Sequence, residues 1–570
     1  MIRRTSTPRP STTSLRARCA DPAADPTYRT GWRTWAVVVA LSFSVVGATL
    51  TNQVNTTIRY QVGTVGGVAL ASWIANSLFL LTLAFGPVLG NLSDRIGKKW
   101  TVLGGCALGI VGTAVSGRAS TIGQIIAGQV LTGIADAGCL TAVAAYQEVV
   151  PSRGRGWSQG VATTINSAVA LAATFIYASF VSSGVGGGWP SAYYFACAWF
   201  AFTGLLVLVL YHPPKPQLAR QHSISELLRS FDFGGILLFA GSIAAVVIGL
   251  TFPPDTYAWS SWQVILPLCL GFAGLVVFGL FEAYVQKDGI FDTRLCQNRN
   301  FVSLLVVSTI DGMLLLGANV MLAQEIQSVF TPDALSAGVI LLPYLVGTVA
   351  MCLPAAWVMT YLREIRWPLV IALLWTALFV GLVALVDASP SGQMKLEAFT
   401  FLAGCGLAFT TVLPPAGVTL SVPNYLLGSA STLTQATRAL GGIIGVTIFS
   451  AIHSSKLATY LPEEVAPVLA ANNIPAAQLG QIVTLLGIPD PSVLLGSGLP
   501  APVIGALERA LAVANARAYS LVWVALAVLV AAAAIPCCFL RSVSAALESH
   551  HVESALETSD VRTRQLNEEI

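Results

Sequence analysis

The chain has 570 residues, 55% hydrophobic and only 10% charged, with a mean hydropathy of +0.73 and a formal net charge of +3. A soluble domain carries charge on about a quarter of its residues, so an ordinary soluble protein is excluded, and so weak a net charge offers no surface for nucleic acid. The charges fall between apolar runs of about 20 residues, long enough to cross a ~30 Å hydrocarbon core as helices, which identifies a polytopic all-α membrane protein.

In chain order, residues 1–33 come first, with Arg3, Arg4, Arg9, Arg16, Arg18, Arg29 and Arg33 and no acid before Asp21. This Arg- and Ser/Thr-rich segment reads as a disordered cytosolic tail, with a transit peptide as the alternative. Fourteen spans follow, at about 34–54, 70–90, 100–118, 121–143, 160–181, 191–211, 233–252, 262–285, 301–322, 335–360, 366–386, 398–420, 430–452 and 517–540. With the N-terminus inside, 23 of the 30 Lys and Arg lie in inner tails and loops and 5 in outer loops, Arg438 and Arg517 being the other two. That bias puts both termini in the cytosol. The expected organisation is a six-helix bundle at 34–211, a linker with two inserted helices at 212–285, and a second bundle at 286–540, then a cytosolic tail at 541–570. Within the second bundle, 453–516 reads as an outer loop folded as a cap against the bilayer, broken by Pro462, Pro467, Pro475, Pro489, Pro491, Pro500 and Pro502.

The ten cysteines are scattered, mostly within apolar runs, and read as small buried residues. No nucleophile–base arrangement, metal-ligand cluster or cofactor loop emerges, so the expectation is a non-enzyme without metal or cofactor.

The densest charge cluster is "GNLSDRIGKKW", residues 90–100, on the inner loop between spans two and three. Positive residues kept in the cytosol account for Arg95, Lys98 and Lys99. Gly90 lets another helix approach, Gly97 suits a tight turn, and Asp94 at the membrane edge needs a cation or a helix N-terminus. A phosphate loop is excluded, because six residues instead of four lie between Gly90 and Gly97 and Lys99 stands at the Ser/Thr position.

"GNLSDRIGKK" resembles the G-x-L-S/A-D-R-x-G-R/K-R/K signature of the major facilitator superfamily at every signature position. That resemblance implies two six-helix bundles that rock about a central cavity, with Asp94 bearing on a helix end in the other half as part of a gate. Fourteen spans look like the drug:proton antiporter branch. "AYQEVVPSRGRG", "YHPPKP…SFDFGGILLFAGS", "FEAYVQKDGIFDTRLCQNRNF" and "QATRALGGIIGVTIFSAI" look more specifically like fungal trichothecene efflux pumps. Two departures stand out. Gln129 occupies the place where many antiporters carry an Arg in span four, and span five lacks the Gly-Pro associated with export.

Three ionisable residues lie within spans: Asp136 in span four, Asp311 in span nine and Arg438 in span thirteen. Such residues are functional candidates. Asp311 and Arg438 sit at matching depth, about 14 to 15 Å from the inner side, which predicts an ion pair across the cavity, either coupling protons or purely structural. Asp136 reads as a relay or as a side chain reaching inner-leaflet water, and Glu282 and Glu325 as solvated span ends. Gly441 and Gly445 give small-xxx-small spacing for helix packing. Thr49, Asn52, Gln53 and Asn55 in span one and Thr163, Asn166 and Ser167 in span five are polar groups for the cavity, with Gln129 beside them. So few charges predict a neutral or weakly charged, largely apolar small-molecule substrate.

The resemblance thus implies a monomeric integral membrane exporter of a hydrophobic toxin or secondary metabolite. It would exchange its cargo for protons in the plasma membrane, with the vacuolar membrane as the alternative. Uptake of iron–siderophore complexes is the second reading and a transport-dead sensor the third.

Overall fold

The computed structural model describes residues 31–67, 70–213, 232–251, 259–284, 295, 297–331, 333–422, 426–472, 474–475, 482 and 500–544. The expected N-terminal tail, most of the 212–232 linker, nearly all of 476–499 and the C-terminal tail beyond 544 lie outside the described residues. Among the described residues there are no strands and 14 helices long and apolar enough to cross a membrane. In the first half these are α1 Trp32–Thr57, α2 Trp73–Ile96, α3 Lys98–Gly117, α4 Ile122–Glu148, α5 Ser152–Ser183 and α6 Pro190–Leu210. The inserted pair is α7 Gly234–Thr251 and α8 Trp262–Glu282. The second half holds α9 Arg299–Val329, α10 Leu335–Leu362, α11 Arg366–Val383, α12 Pro390–Ser421, α13 Leu427–Ala471 and α14 Pro502–Cys538.

Helix ends follow side-chain chemistry. Asn298 accepts from the Asn300 and Phe301 amides to start α9, and Ser389 from the Gly392 amide to start α12. Asp333 caps α10 by accepting from the Ser336 amide and hydroxyl at 2.8 and 2.7 Å, and those donors hold its carboxyl below the ordinary range. Between α2 and α3 a single residue, Gly97 at φ +105°, turns the chain, a conformation side chains disfavour. Within α9, one π-helical turn spans Met313–Ala318.

In the N-terminal half α1 packs on α5 and α6, α2 on α4, and α3 on α4 and α6. In the C-terminal half α9 and α10 pack on α12, α9 and α14 on α13, and α11 on α12 and α14. Lipid tails are as apolar as leucine, so close contact between small residues matters more here than hydrophobic burial. A Cβ on Gly105 would meet the Ala135 carbonyl at 2.8 Å, and one on Gly441 would collide with that of Thr309. The halves meet along two seams, α2 with α13 and α5 with α10. Only the first seam is roofed. Phe239, Ile243, Val247 and Phe278 of the inserted pair join Leu80, Leu83, Ala84 and Val88 of α2 and Ala436, Ala439 and Ile443 of α13 in one apolar cluster. The far face of α8 exposes Leu270, Phe272, Val276 and Leu280, as a helix facing lipid requires.

The outer loop departs from expectation. Instead of a separate cap, α13 runs on without a break through Pro462 and Pro467 for 45 residues, about 68 Å if straight and twice a bilayer core. Leu461, Val465 and Leu469 of this extension bury against Val503, Ile504 and Leu507 at the start of α14. The prolines read as breakers in the sequence, but a helix held along one apolar face tolerates the lost hydrogen bonds.

Candidate functional site

The charged turn after α2 lies against the start of α13. Asp94 Oδ1 accepts from the Gly428 amide at 2.9 Å, and Oδ2 from the Ser429 amide and hydroxyl at 2.8 and 2.9 Å. These amides are among the unpaired donors of a helix N-terminus, where a carboxylate gains from both the hydrogen bonds and the helix dipole. Gly90, one turn back, lies so close to Thr432 and Gly428 that no side chain fits. Lys98, buried, bridges Asp94 at 3.0 Å and Glu148 of α4 at 2.8 Å. Lys99 donates to the Leu208 carbonyl at the end of α6, and Arg95 is half-buried. The six residues of the turn therefore split: Gly90 and Asp94 touch the other half, whereas Lys98 and Lys99 brace their own.

A second joint, unforeseen in the sequence, sits beside the first. Arg155 of α5 donates to the Thr419 carbonyl at 2.5 Å, and the Thr419 hydroxyl donates to Gln147 of α4. Gln159 accepts from Gln147 at 2.8 Å and from the Tyr146 hydroxyl at 2.7 Å, and donates to Thr163 at 3.2 Å. A cation thus meets the carbonyl end of α12 while an anion meets the amide end of α13, so each helix end is held by a group suited to it. "AYQEVVPSRGRG" contains Tyr146, Gln147 and Arg155 of this joint; the missing signal was that Gln147, Glu148 and Arg155 are all buried.

Asp311 and Arg438 do pair, with Nε and Oδ2 2.8 Å apart. The pair does not reach across a cavity, however. α9 and α13 are direct neighbours in one half, with Gly312 pressed against the Arg438 backbone carbonyl and Gly445 against Met313. Asp311 is wholly buried and its Oδ1 accepts from Thr410 at 2.7 Å. Arg438 retains some exposure and donates to Gln435 at 3.2 Å and to the Thr411 carbonyl at 3.4 Å.

Four other expectations change. Asp136 does not reach inner-leaflet water: α4 extends to Glu148, which puts Asp136 near mid-helix, buried and accepting from Thr51 of α1 at 3.0 Å. Gln129 is wholly buried and taken up by a protein partner, donating to Tyr193 of α6 at 3.0 Å, and Tyr193 donates in turn to Gln61 at 3.3 Å. Glu282 and Glu325 are buried, not solvated. The last of these accepts from the Trp523 indole on α14 at 2.8 Å, a partner 198 residues away. Of the polar residues expected at the cavity, Asn52, Thr163, Asn166 and Ser167 are half-buried; Thr49 donates to Asn166 at 2.7 Å, and Gln53 is pinned to the Ala170 carbonyl at 3.4 Å.

The sequence family model for the fungal trichothecene efflux pump (TRI12) matches residues 9–561, nearly the whole chain. This chain belongs to that family. Among relatives of this pump-family member, an acurin A biosynthesis cluster MFS-type transporter from Aspergillus aculeatus is 28% identical over 436 residues, 75% of this chain and 76% of that protein. The efflux pump FUS6 of Gibberella fujikuroi is 26% identical over 441 residues, 76% of this chain and 78% of that protein. Among solved structures, the major facilitator superfamily proton:xylose symporter XylE matches at a TM-score of 0.52 and 13% identity, over 74% of this chain and 89% of that one. That last likeness concerns the fold alone. A trichothecene-pump family member is an integral membrane transporter.

Proposed function

We propose that this protein exports a largely apolar secondary metabolite by proton antiport with alternating access, from a membrane in which both termini face the cytosol. The observation that carries the reading is the Asp94 carboxylate seated on the N-terminus of α13 across the seam. It holds the two halves together at the charged, inner end and so closes the cavity on the cytosolic side. Opening that end requires Asp94 to leave two amides and a hydroxyl, and Arg155 to leave the Thr419 carbonyl. The cost of parting is kept low because water and Lys98 can take their places.

The half-buried Asn52, Thr163, Asn166 and Ser167 supply hydrogen bonds to an oxygenated cargo, and the scarcity of charge favours a neutral one. For coupling, Asp311 is the residue whose proton would matter. Neutralising it frees Arg438 from its partner and loosens α9 from α13, the helix that also carries the latch. Asp136, sealed at mid-helix with one hydroxyl for a partner, stays protonated in this reading. The relatives named as efflux pumps and metabolite-cluster transporters support export as the direction.

The test is accumulation of labelled trichothecenes and ferric siderophores in cells expressing the chain, with and without a proton uncoupler. Lower toxin content that rises when the gradient collapses is the expected result. Gradient-driven gain of the iron complex would reverse the direction, and no change in either would remove the antiport reading.

A further inference from the structure

At the end of the bundle opposite the latch, α9 buries Glu325, only 2% exposed. Asp311 on the same helix has Arg438 beside it; among the described residues no Lys or Arg pairs with Glu325. Among the described residues its one hydrogen-bond donor is the Trp523 indole, itself buried. A carboxylate offers about four acceptor sites, and one neutral N–H is a poor return for taking a full charge out of water. A carboxyl so placed carries a proton for at least part of the time, and the question is whether that proton moves.

The surroundings favour movement. Tyr519, one turn from Trp523 on α14, lies beside both Glu325 and Ser328. Its ring stacks on His453 of α13 with centroids 4.0 Å apart, and His453 Nε2 lies 3.1 Å from Asn515 Oδ1. On α10 the titratable group at this end is the N-cap Asp333, which is exposed and spent on Ser336, whereas Tyr344 lies farther along, donating to the Leu314 carbonyl on the Asp311 side. Arg517, the cation of α14 nearest these groups in sequence, is taken up by Glu464 at 2.6 Å and by the ring of Tyr460. A carboxyl, a phenol and an imidazole therefore follow one another near the end of α9, four residues before its last, Val329. Asp136, by contrast, has Thr51 as its one side-chain hydrogen-bond partner among the described residues and lies about 18 Å or more from either end of α4.

We infer that Glu325, held by Trp523 and flanked by Tyr519, is a proton-binding site at the end of the C-terminal half opposite the latch, exchanging its proton with water there in each transport cycle. The site is separate from Asp311, about 21 Å away along α9. It rests on the antiport reading, for which it supplies the port through which protons enter.

Two measurements test it. Infrared difference titration of the purified full chain in lipid should show a carboxylic C=O band that titrates with pH and is missing in Glu325→Gln. Trp523→Phe should displace both the band and its midpoint, the latter by about one pH unit, since it removes the carboxyl's one donor. In liposomes, transport of a tritiated trichothecene driven by a pH gradient should fall more than tenfold in Glu325→Gln, and what remains should lose its pH dependence. A titration spectrum identical in wild type and Glu325→Gln overturns the proposal. Wild-type transport that follows the gradient, with an unaltered pH profile in Glu325→Gln, also overturns it and leaves antiport standing. Wild-type transport indifferent to the gradient brings down antiport, and this site's role with it.

Discussion

The two halves solve the same problem, a buried aspartate among apolar helices, in opposite ways. In the N-terminal half Asp136 has a hydroxyl partner on α1 and an Oδ1 with no hydrogen bond among the described residues, an arrangement that suits a neutral carboxyl. In the C-terminal half Asp311 has a guanidinium at 2.8 Å and a hydroxyl at 2.7 Å, an arrangement that suits an anion. A neutral group is indifferent to small movements of its neighbours. An ion pair in low dielectric is not, because separating it by a few ångströms exposes each charge to a medium that cannot solvate it. The contrast teaches that a helix movement in the C-terminal half would strain a buried charge pair, whereas the same movement in the N-terminal half would leave its aspartate undisturbed, which is why the proposed coupling is placed in the C-terminal half.

The sharpest way to break this comparison is Arg438→Gln, which leaves Asp311 buried without a cation. It should destabilise the chain by about 3–5 kcal/mol, seen as a large drop in Tm in detergent, and abolish gradient-driven transport. Adding Asp311→Asn should restore most of the stability and none of the coupling; recovery of both would make the pair structural. Gly441→Leu drives a side chain into the Thr309 carbonyl where α9 meets α13 and should cost about 1–3 kcal/mol. Gly123→Ala on α4, with open space around it, is the control and should leave Tm unchanged or slightly raised.

Asp94→Asn keeps the shape of the latch but discards its charge, removing about 1–2 kcal/mol from the closed inner end. Transport should fall several-fold while the protein remains inserted, and normal transport would remove the latch. Among the acidic residues the least should come from Asp136→Asn: Thr51 can still donate to the amide oxygen, so stability should change by less than about 1 kcal/mol and transport by less than twofold. A large loss there would show that the N-terminal half uses its carboxyl charge after all.

The bundle was readable in the sequence because a membrane imposes its own ruler. Apolar runs of spanning length and the Lys/Arg bias needed no partner information, and matching depth was enough to pair Asp311 with Arg438. Where the reading failed, the decisive neighbour was remote. Glu325 looked like a solvated span end because its partner, Trp523, belongs to the last helix. Gln129 looked like a cavity residue because hydropathy does not say which face of α4 meets Tyr193. The extension of α13 past Pro462 and Pro467 was hidden for a similar reason, its packing face being supplied by the start of α14.

That extension has a mechanical meaning. Gly428 at the latch, Arg438 at the ion pair and Leu461 in the outer hairpin all belong to one unbroken helix, so a tilt at one station is a displacement at the others. From Gly428 to Leu461 the lever is about 50 Å long. A few degrees of rotation about its middle would carry the hairpin at the far end several ångströms, so that the position of that hairpin would report on the contact at Gly428.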